Sequence, residues 1–99
     1  MRANVNVDAA KALKNRVHFK CSNTIVNGAT MTLYGSPIAS YANNELRLSL
    51  CGNLSTITRS RLNAVCNEFG IKDGFTQRNG KQYFGKNEIH SSQSITVTL

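Results

Sequence analysis

The chain has 99 residues, and twelve Lys and Arg side chains against five Asp and Glu give it a net charge of +7. This length predicts one domain over residues 1–99, and an ordinary share of apolar residues argues against wholesale disorder. No apolar run approaches the ~20 residues of a membrane-spanning helix, and no signal-peptide core follows Met1. We therefore expect an intracellular protein with no second domain and no membrane partner.

The surplus of positive charge predicts an anionic partner. On so small a surface it attracts nucleic acid, nucleotides, anionic lipid or an acidic protein, and it does not distinguish these four classes. Residues 1–20 hold five of the cations against Asp8 alone, which predicts either a basic segment for a polyanion or the solvated face of a helix. These cations are Arg2, Lys11, Lys14, Arg16 and Lys20.

A short N-terminal helix is predicted over residues 8–14, with Asn6 or Asp8 as its cap. Strand patterns follow it. The dipeptide Asn27-Gly28 predicts a hairpin with a type I′ turn, because both central residues of that turn require positive φ. Alternation with polar residues then predicts three core positions in a later strand, Leu46, Leu48 and Leu50.

The clearest helix of the chain is predicted over about residues 56–69, with Ser55 or Thr56 as its cap. Apolar residues at helical spacing predict one buried stripe, made of Leu62, Val65, Cys66 and Phe69. Asn79-Gly80 predicts a second type I′ hairpin. Residues 85–94 are predicted to be a polar connection and residues 95–99 a final strand.

These elements predict an α+β fold. We expect an antiparallel sheet of five to six strands built from hairpins, with the main helix packed on one face and the short N-terminal helix beside it.

The entrance of the main helix has cations where carboxylates are expected. The first turn of a helix favours Asp or Glu because its free N–H groups form the positive end of the dipole, yet Arg59 and Arg61 lie there. If Thr56 is the cap, Arg59 takes the capping-box position. Such an entrance suits a phosphate or carboxylate; the alternative is two solvated arginines over the core edge. The candidate anion-binding or partner-binding residues are Ser55, Thr56, Thr58, Arg59 and Arg61.

The late hairpin is predicted to carry a basic face. A two-residue turn puts Arg78 opposite Lys81 and leaves Tyr83 on their face, while Phe75 and Phe84 share the other. Directly opposed like charges are unfavourable, so a partner that neutralises them would give a reason for the pair. The alternative is a solvated tip where the two charges cost little. Cations beside one aromatic ring are also typical of nucleic-acid-binding surfaces.

Metal and catalytic motifs are weak. Cys21, Cys51 and Cys66 form no CxxC pair and have apolar neighbours, which favours reduced, buried thiols. A zinc site can be drawn from the HxxC spacing of His18 and Cys21, with a further Cys or His90, but structural zinc normally has closely paired ligands. The carboxylates are dispersed and no nucleophile motif is present. We therefore expect no enzyme, no bound metal and no cofactor.

Part of the chain, roughly residues 22–66, resembles small accessory proteins encoded by tailed bacteriophages. The residues that carry the resemblance are Ser22-Asn23-Thr24, Asn27-Gly28, Thr32-Leu33-Tyr34-Gly35, Ile38-Ala39, Leu48, Cys51-Gly52, Thr56, Thr58 and Arg61-Leu62-Asn63-Ala64. The resemblance implies a phage origin, expression in the bacterial cytoplasm and a role in taking over or disarming the host. It implies no fold and no binding residues.

Three functions follow as hypotheses. The first is a non-enzymatic phage accessory protein that binds and neutralises a host macromolecule, such as a protein or protein complex, in host takeover or anti-defence. Its basic surface would include Arg59, Arg61, Arg78 and Lys81. The second is a nucleic-acid-binding protein that uses the same groups with Tyr83 and the N-terminal cations. The third is a pocket that sequesters an anionic, nucleotide-like ligand at the helix entrance.

Overall fold

A computed structural model describes residues 5–99 and has the predicted α+β architecture. The helices are α1 (Val5–Asn15) and α2 (Thr56–Glu68). The strands are β1 (Phe19–Cys21), β2 (Thr24–Asn27), β3 (Thr30–Leu33), β4 (Ser36–Ala42), β5 (Glu45–Ser49), β6 (Phe75–Arg78), β7 (Lys81–Phe84), β8 (Asn87–Ile89) and β9 (Ser94–Thr98). Within the described residues, neither helix is long and apolar enough to span a bilayer.

Six strands form an antiparallel sheet in the order β1-β2-β3-β4-β5-β9. Successive strands from β1 to β5 pair as hairpins, and β9 returns beside β5. Apolar side chains of one face pack against both helices, whereas the other face carries hydroxyl groups and the exposed Arg47. The predicted core positions in and just after β5 are fully buried: Leu46, Leu48 and Leu50.

The late hairpin belongs to a separate sheet of three strands in the order β6-β7-β8. The prediction that residues 85–94 form only a connection is wrong, because β8 pairs antiparallel with β7. Ile89 is the one aliphatic side chain of that segment, and it is 8% exposed. Burial of this side chain beside the core favours a third strand even though its neighbours in sequence are polar.

One of the two predicted hairpin turns is confirmed, and the other lies one residue from its predicted position. Asn79 and Gly80 have φ values of 53° and 76°, as a type I′ turn requires. The hairpin after β2 is also present, but Asn27 pairs with Thr30, so the central residues are Gly28-Ala29. Of these two, only Gly28 has positive φ, at 64°, which is the pattern of a type II′ turn. The turn is therefore displaced by one residue from its predicted position.

Both predicted helices are present; one of the two predicted caps of α2 is confirmed, and the predicted caps of α1 are wrong. Ser55 is the N-cap of α2, and its Oγ accepts a hydrogen bond from the backbone N–H of Thr58 at 3.3 Å. Thr58 therefore holds the third helical position, and Arg59 lies one residue beyond the capping-box position. Helix α1 already includes Asn6 and Asp8, so neither residue caps it.

The side chain of Asn63 in α2 bonds to the backbone of the small sheet. Asn63 Nδ2 donates to Phe75 O at 3.0 Å, and Asn63 Oδ1 accepts from Phe75 N at 2.6 Å. The carboxamide thus pairs with the first residue of β6 as a neighbouring strand would. Phe75 is 2% exposed and packs on Phe84, with ring centroids 5.0 Å apart. A Cβ at Gly74 would lie 3.0 Å from Asn63 Oδ1, so glycine there keeps the approach open.

We expect Asn63→Leu to lower the free energy of unfolding by about 2–4 kcal/mol, because the isosteric side chain leaves both backbone groups of Phe75 without their partner. Urea denaturation followed by circular dichroism measures this change. Asn67→Leu, at an exposed position of the same helix, is the matched control and should change stability by less than about 0.5 kcal/mol. Equal losses in the two variants would contradict the docking role of Asn63.

Candidate functional site

The hydroxyl groups at the entrance of α2 are engaged within the helix. Ser55 Oγ lies 3.1 Å from Thr58 Oγ1, and Thr58 is fully buried. Thr56 Oγ1 accepts a hydrogen bond from Arg59 Nη2 at 3.3 Å. All three predicted anion-binding hydroxyls therefore already have partners in the chain itself.

Arg59 lies across the helix entrance and joins it to the small sheet. Its Nη1 donates to Leu54 O at 2.7 Å, to Gln77 Oε1 at 2.9 Å and to Gln82 Oε1 at 3.3 Å. Gln82 Nε2 also donates to Gln77 Oε1 at 2.8 Å, and Gln82 is only 4% exposed. These acceptors are all neutral, so the network fixes the guanidinium in place without cancelling its charge.

Arg61 points toward another part of the fold. Its Nε donates to Thr24 Oγ1 at 2.9 Å, and its Nη1 donates to Asn6 Oδ1. Thr24 is fully buried in β2, and Asn6 belongs to α1. Arg61 therefore connects α2 to α1 and the large sheet, whereas Arg59 connects α2 to the small sheet. The structure does not bring the two guanidinium groups together at one ligand position.

The face of β6 and β7 that looks away from the core has the predicted arrangement. Arg78 lies directly opposite Lys81, and the Arg78 guanidinium carbon lies 4.7 Å from the centroid of the Tyr83 ring. Both cations are exposed and Tyr83 is half-buried. Glu88 of β8 is opposite Tyr83 and adds one carboxylate to this face. We call the surface formed by Arg78, Lys81 and Tyr83 the basic hairpin.

A second cationic surface lies where α1 ends, beside the β4–β5 turn. Arg16 packs on the Tyr41 ring, with its guanidinium carbon 4.9 Å from the centroid, and its Nη2 donates to Tyr41 O at 3.4 Å. Lys14 Nζ donates to Glu68 O at 3.2 Å. Together with three carboxamides these groups line a hollow of about 440 Å³. We call it the basic cleft; its residues are Lys14, Asn15, Arg16, Tyr41, Asn43 and Asn44.

The basic cleft is absent from the sequence-based predictions, although both of its cations belong to the basic N-terminal segment. Among the other cations of that segment, Lys11 and Lys20 are exposed outside the cleft, and Arg2 lies outside the described residues. A further hollow of about 440 Å³ lies on the open face of the large sheet. Among the described residues that line it, Arg47 is the one cation, beside hydroxyl and apolar groups.

The cysteines are dispersed in the structure. Cys66 is buried, whereas Cys21 and Cys51 are half-buried, and Cys51 Sγ donates to Pro37 O at 3.0 Å. Burial, with a smaller contribution from the charge of Asp73, raises the pKa of the Cys66 thiol to about 11. Across residues 5–99, no three His, Cys, Asp or Glu side chains are grouped as metal ligands.

The fold and these surfaces define a small basic α+β protein with fixed, solvent-facing cations. Over residues 1–96 the chain matches the family model described as Kyanoviridae Gp96 protein, and it belongs to that family of cyanophage proteins. The predicted relation to tailed-phage proteins is thereby confirmed. No curated protein and no solved structure matches the chain.

We expect a maleimide reagent at pH 8 to label Cys21 and Cys51 in the folded protein and to leave Cys66 unmodified, because the buried thiol stays protonated. Mass spectrometry after peptide digestion identifies the labelled positions, and urea should expose all three. Labelling of Cys66 as fast as the other two would contradict its burial.

Because the folded pKa of Cys66 exceeds its ordinary value of 9.0, the contribution of this buried thiol to the free energy of unfolding should fall as pH rises from 9 through about 11.

Proposed function

We propose that this phage protein is a non-enzymatic binding protein of the host cytoplasm, where it holds and neutralises an acidic face of a host protein or protein complex. The basic hairpin is the contact surface. This role agrees with membership in a phage protein family and with the positive net charge.

The pairing of Arg78 with Lys81 across the hairpin tip is the observation that carries the proposal. Like charges directly opposite each other on a strand pair oppose folding. The ring of Tyr83 is the contact that orients Arg78, and a ring does not neutralise its charge. Carboxylates of a partner would remove the repulsion and form charge-assisted hydrogen bonds with both cations.

The tip of the basic hairpin is also ordered in the free protein. Phe75 and Gln82, on the opposite face, are buried, and Arg59 bonds the two glutamines of that face to the entrance of α2. A surface that is already ordered loses less conformational entropy on binding. Arg59 therefore supports the proposed contact by positioning the hairpin.

The stacking of Arg78 on Tyr83 reduces the ring surface that Tyr83 offers to a base. Proteins that hold single strands present aromatic rings on which bases stack. Here the guanidinium covers one side of the Tyr83 ring, and the side chain is half-buried. The cations could still contact phosphates, and the exposed Arg78 guanidinium could stack on a base, so the experiment must distinguish nucleic acid from a protein partner.

The test is capture from host lysate with tagged protein, before and after nuclease treatment. The wild-type protein should retain a defined host protein after nuclease, and Arg78→Glu/Lys81→Glu should lose it, because the substitution reverses both charges. Lys72→Glu/Lys86→Glu changes the net charge equally at exposed positions outside the hairpin and should retain the partner.

Thermal melting of each variant controls for folding, since exposed charges contribute at most about 1 kcal/mol. Equal retention by the hairpin variant and the wild-type protein would refute the proposal. Loss of all captured material on nuclease treatment would assign the surface to nucleic acid instead. In that case binding to an oligonucleotide should weaken steeply with added salt.

A further inference from the structure

The basic cleft is built on a strained residue at the end of α1. Arg16 has a φ of 56°, and the hydrogen bonds Arg16 N to Leu13 O and Val17 N to Ala12 O close a Schellman motif. Glycine is the usual residue at that position, because a side chain there costs about 1–2 kcal/mol. The protein thus has a large cation where local stability favours glycine.

The left-handed conformation directs Arg16 toward the large sheet. Its guanidinium packs on the Tyr41 ring and bonds to Tyr41 O, so the cation is held at two points. Phe69 supports the same ring edge-on, with centroids 4.8 Å apart. Because Arg16 is exposed, the face of the guanidinium opposite the ring is open to solvent. Stacking of a flat ligand on that face would cost little reorganisation.

The rest of the cleft supplies a second cation and amide groups. Lys14 Nζ lies 3.2 Å from Glu68 O and 6.0 Å from the centroid of the Phe69 ring. Asn43 and Asn44 both have positive φ, at 54° and 60°, which fixes the turn that forms the far wall. Among residues 5–99, no carboxylate side chain lines the hollow. Carboxamides can donate to phosphate or pair with the edge of a base.

We propose that the basic cleft binds a nucleotide, with the phosphate between Lys14 and Arg16 and the base stacked on the open face of the Arg16 guanidinium. The hollow of about 440 Å³ opens widely to solvent and has room for part of a nucleotide. Arginine and lysine together recognise phosphate, and the guanidinium plane also stacks on flat rings. The basic cleft and the basic hairpin share no residues, so nucleotide binding and the proposed partner contact are tested independently.

The first experiment titrates the ¹⁵N-labelled full chain with ADP, adenosine and inorganic phosphate, and follows amide signals by NMR. ADP should shift signals of residues 14–16 and 41–44, and it should bind more tightly than either of its parts. Equal affinity for ADP and inorganic phosphate would overturn the nucleotide assignment. Absence of shifts at these residues with ADP at millimolar concentration would overturn the site itself.

The second experiment uses Arg16→Gly, which relieves the left-handed strain and removes the cation. Its melting temperature should not fall, whereas its affinity for ADP should fall at least about tenfold, because a charge-assisted contact is lost. Lys11→Gln removes an exposed cation of the same helix outside the cleft and should change the affinity less than about twofold. An unchanged ADP affinity in Arg16→Gly would refute the proposed role of the guanidinium.

Discussion

The position of the small sheet depends on the two hydrogen bonds between Asn63 and the backbone of Phe75. One carboxamide satisfies both a donor and an acceptor at the start of β6, and the adjacent Gly74 leaves room for it. These bonds position β6, and the other two strands are positioned in turn, because β7 pairs with β6 and β8 pairs with β7. The orientation of the basic hairpin is therefore set by α2, which also packs on the core of the large sheet.

A second constraint is the scarcity of carboxylates. With five Asp and Glu for twelve Lys and Arg, most cations need neutral partners, and the chain supplies amides, hydroxyls, carbonyls and rings. Arg59 bonds to glutamines, Arg61 to Thr24 and Asn6, and Arg16 to the ring and carbonyl of Tyr41. Neutral acceptors order these side chains while their charge still acts outward, so internal polar networks and an external positive field coexist.

The sequence predicts elements whose geometry is decided locally. Asn79-Gly80 specifies a type I′ turn, so the register of β6 and β7 follows from the turn itself. The sequence does not predict β8, because three residues with one buried side chain carry almost no periodic signal. The sequence does not predict the basic cleft either. Arg16 and Tyr41 are far apart in the chain and meet only because α1 crosses the hairpins of the large sheet.

The two proposed sites lie at opposite ends of α2, which determines how they can influence each other. Arg59 in its first turn supports the basic hairpin, while Glu68 O, at its last residue, bonds to Lys14 of the basic cleft. Thirteen helical residues separate these ends by about 20 Å, more than twice the screening length of about 8 Å at physiological salt. Charge alone therefore couples the sites weakly. Coupling would require a displacement of α2, and the buried stripe of that helix, packed on the core of both sheets, opposes such a movement.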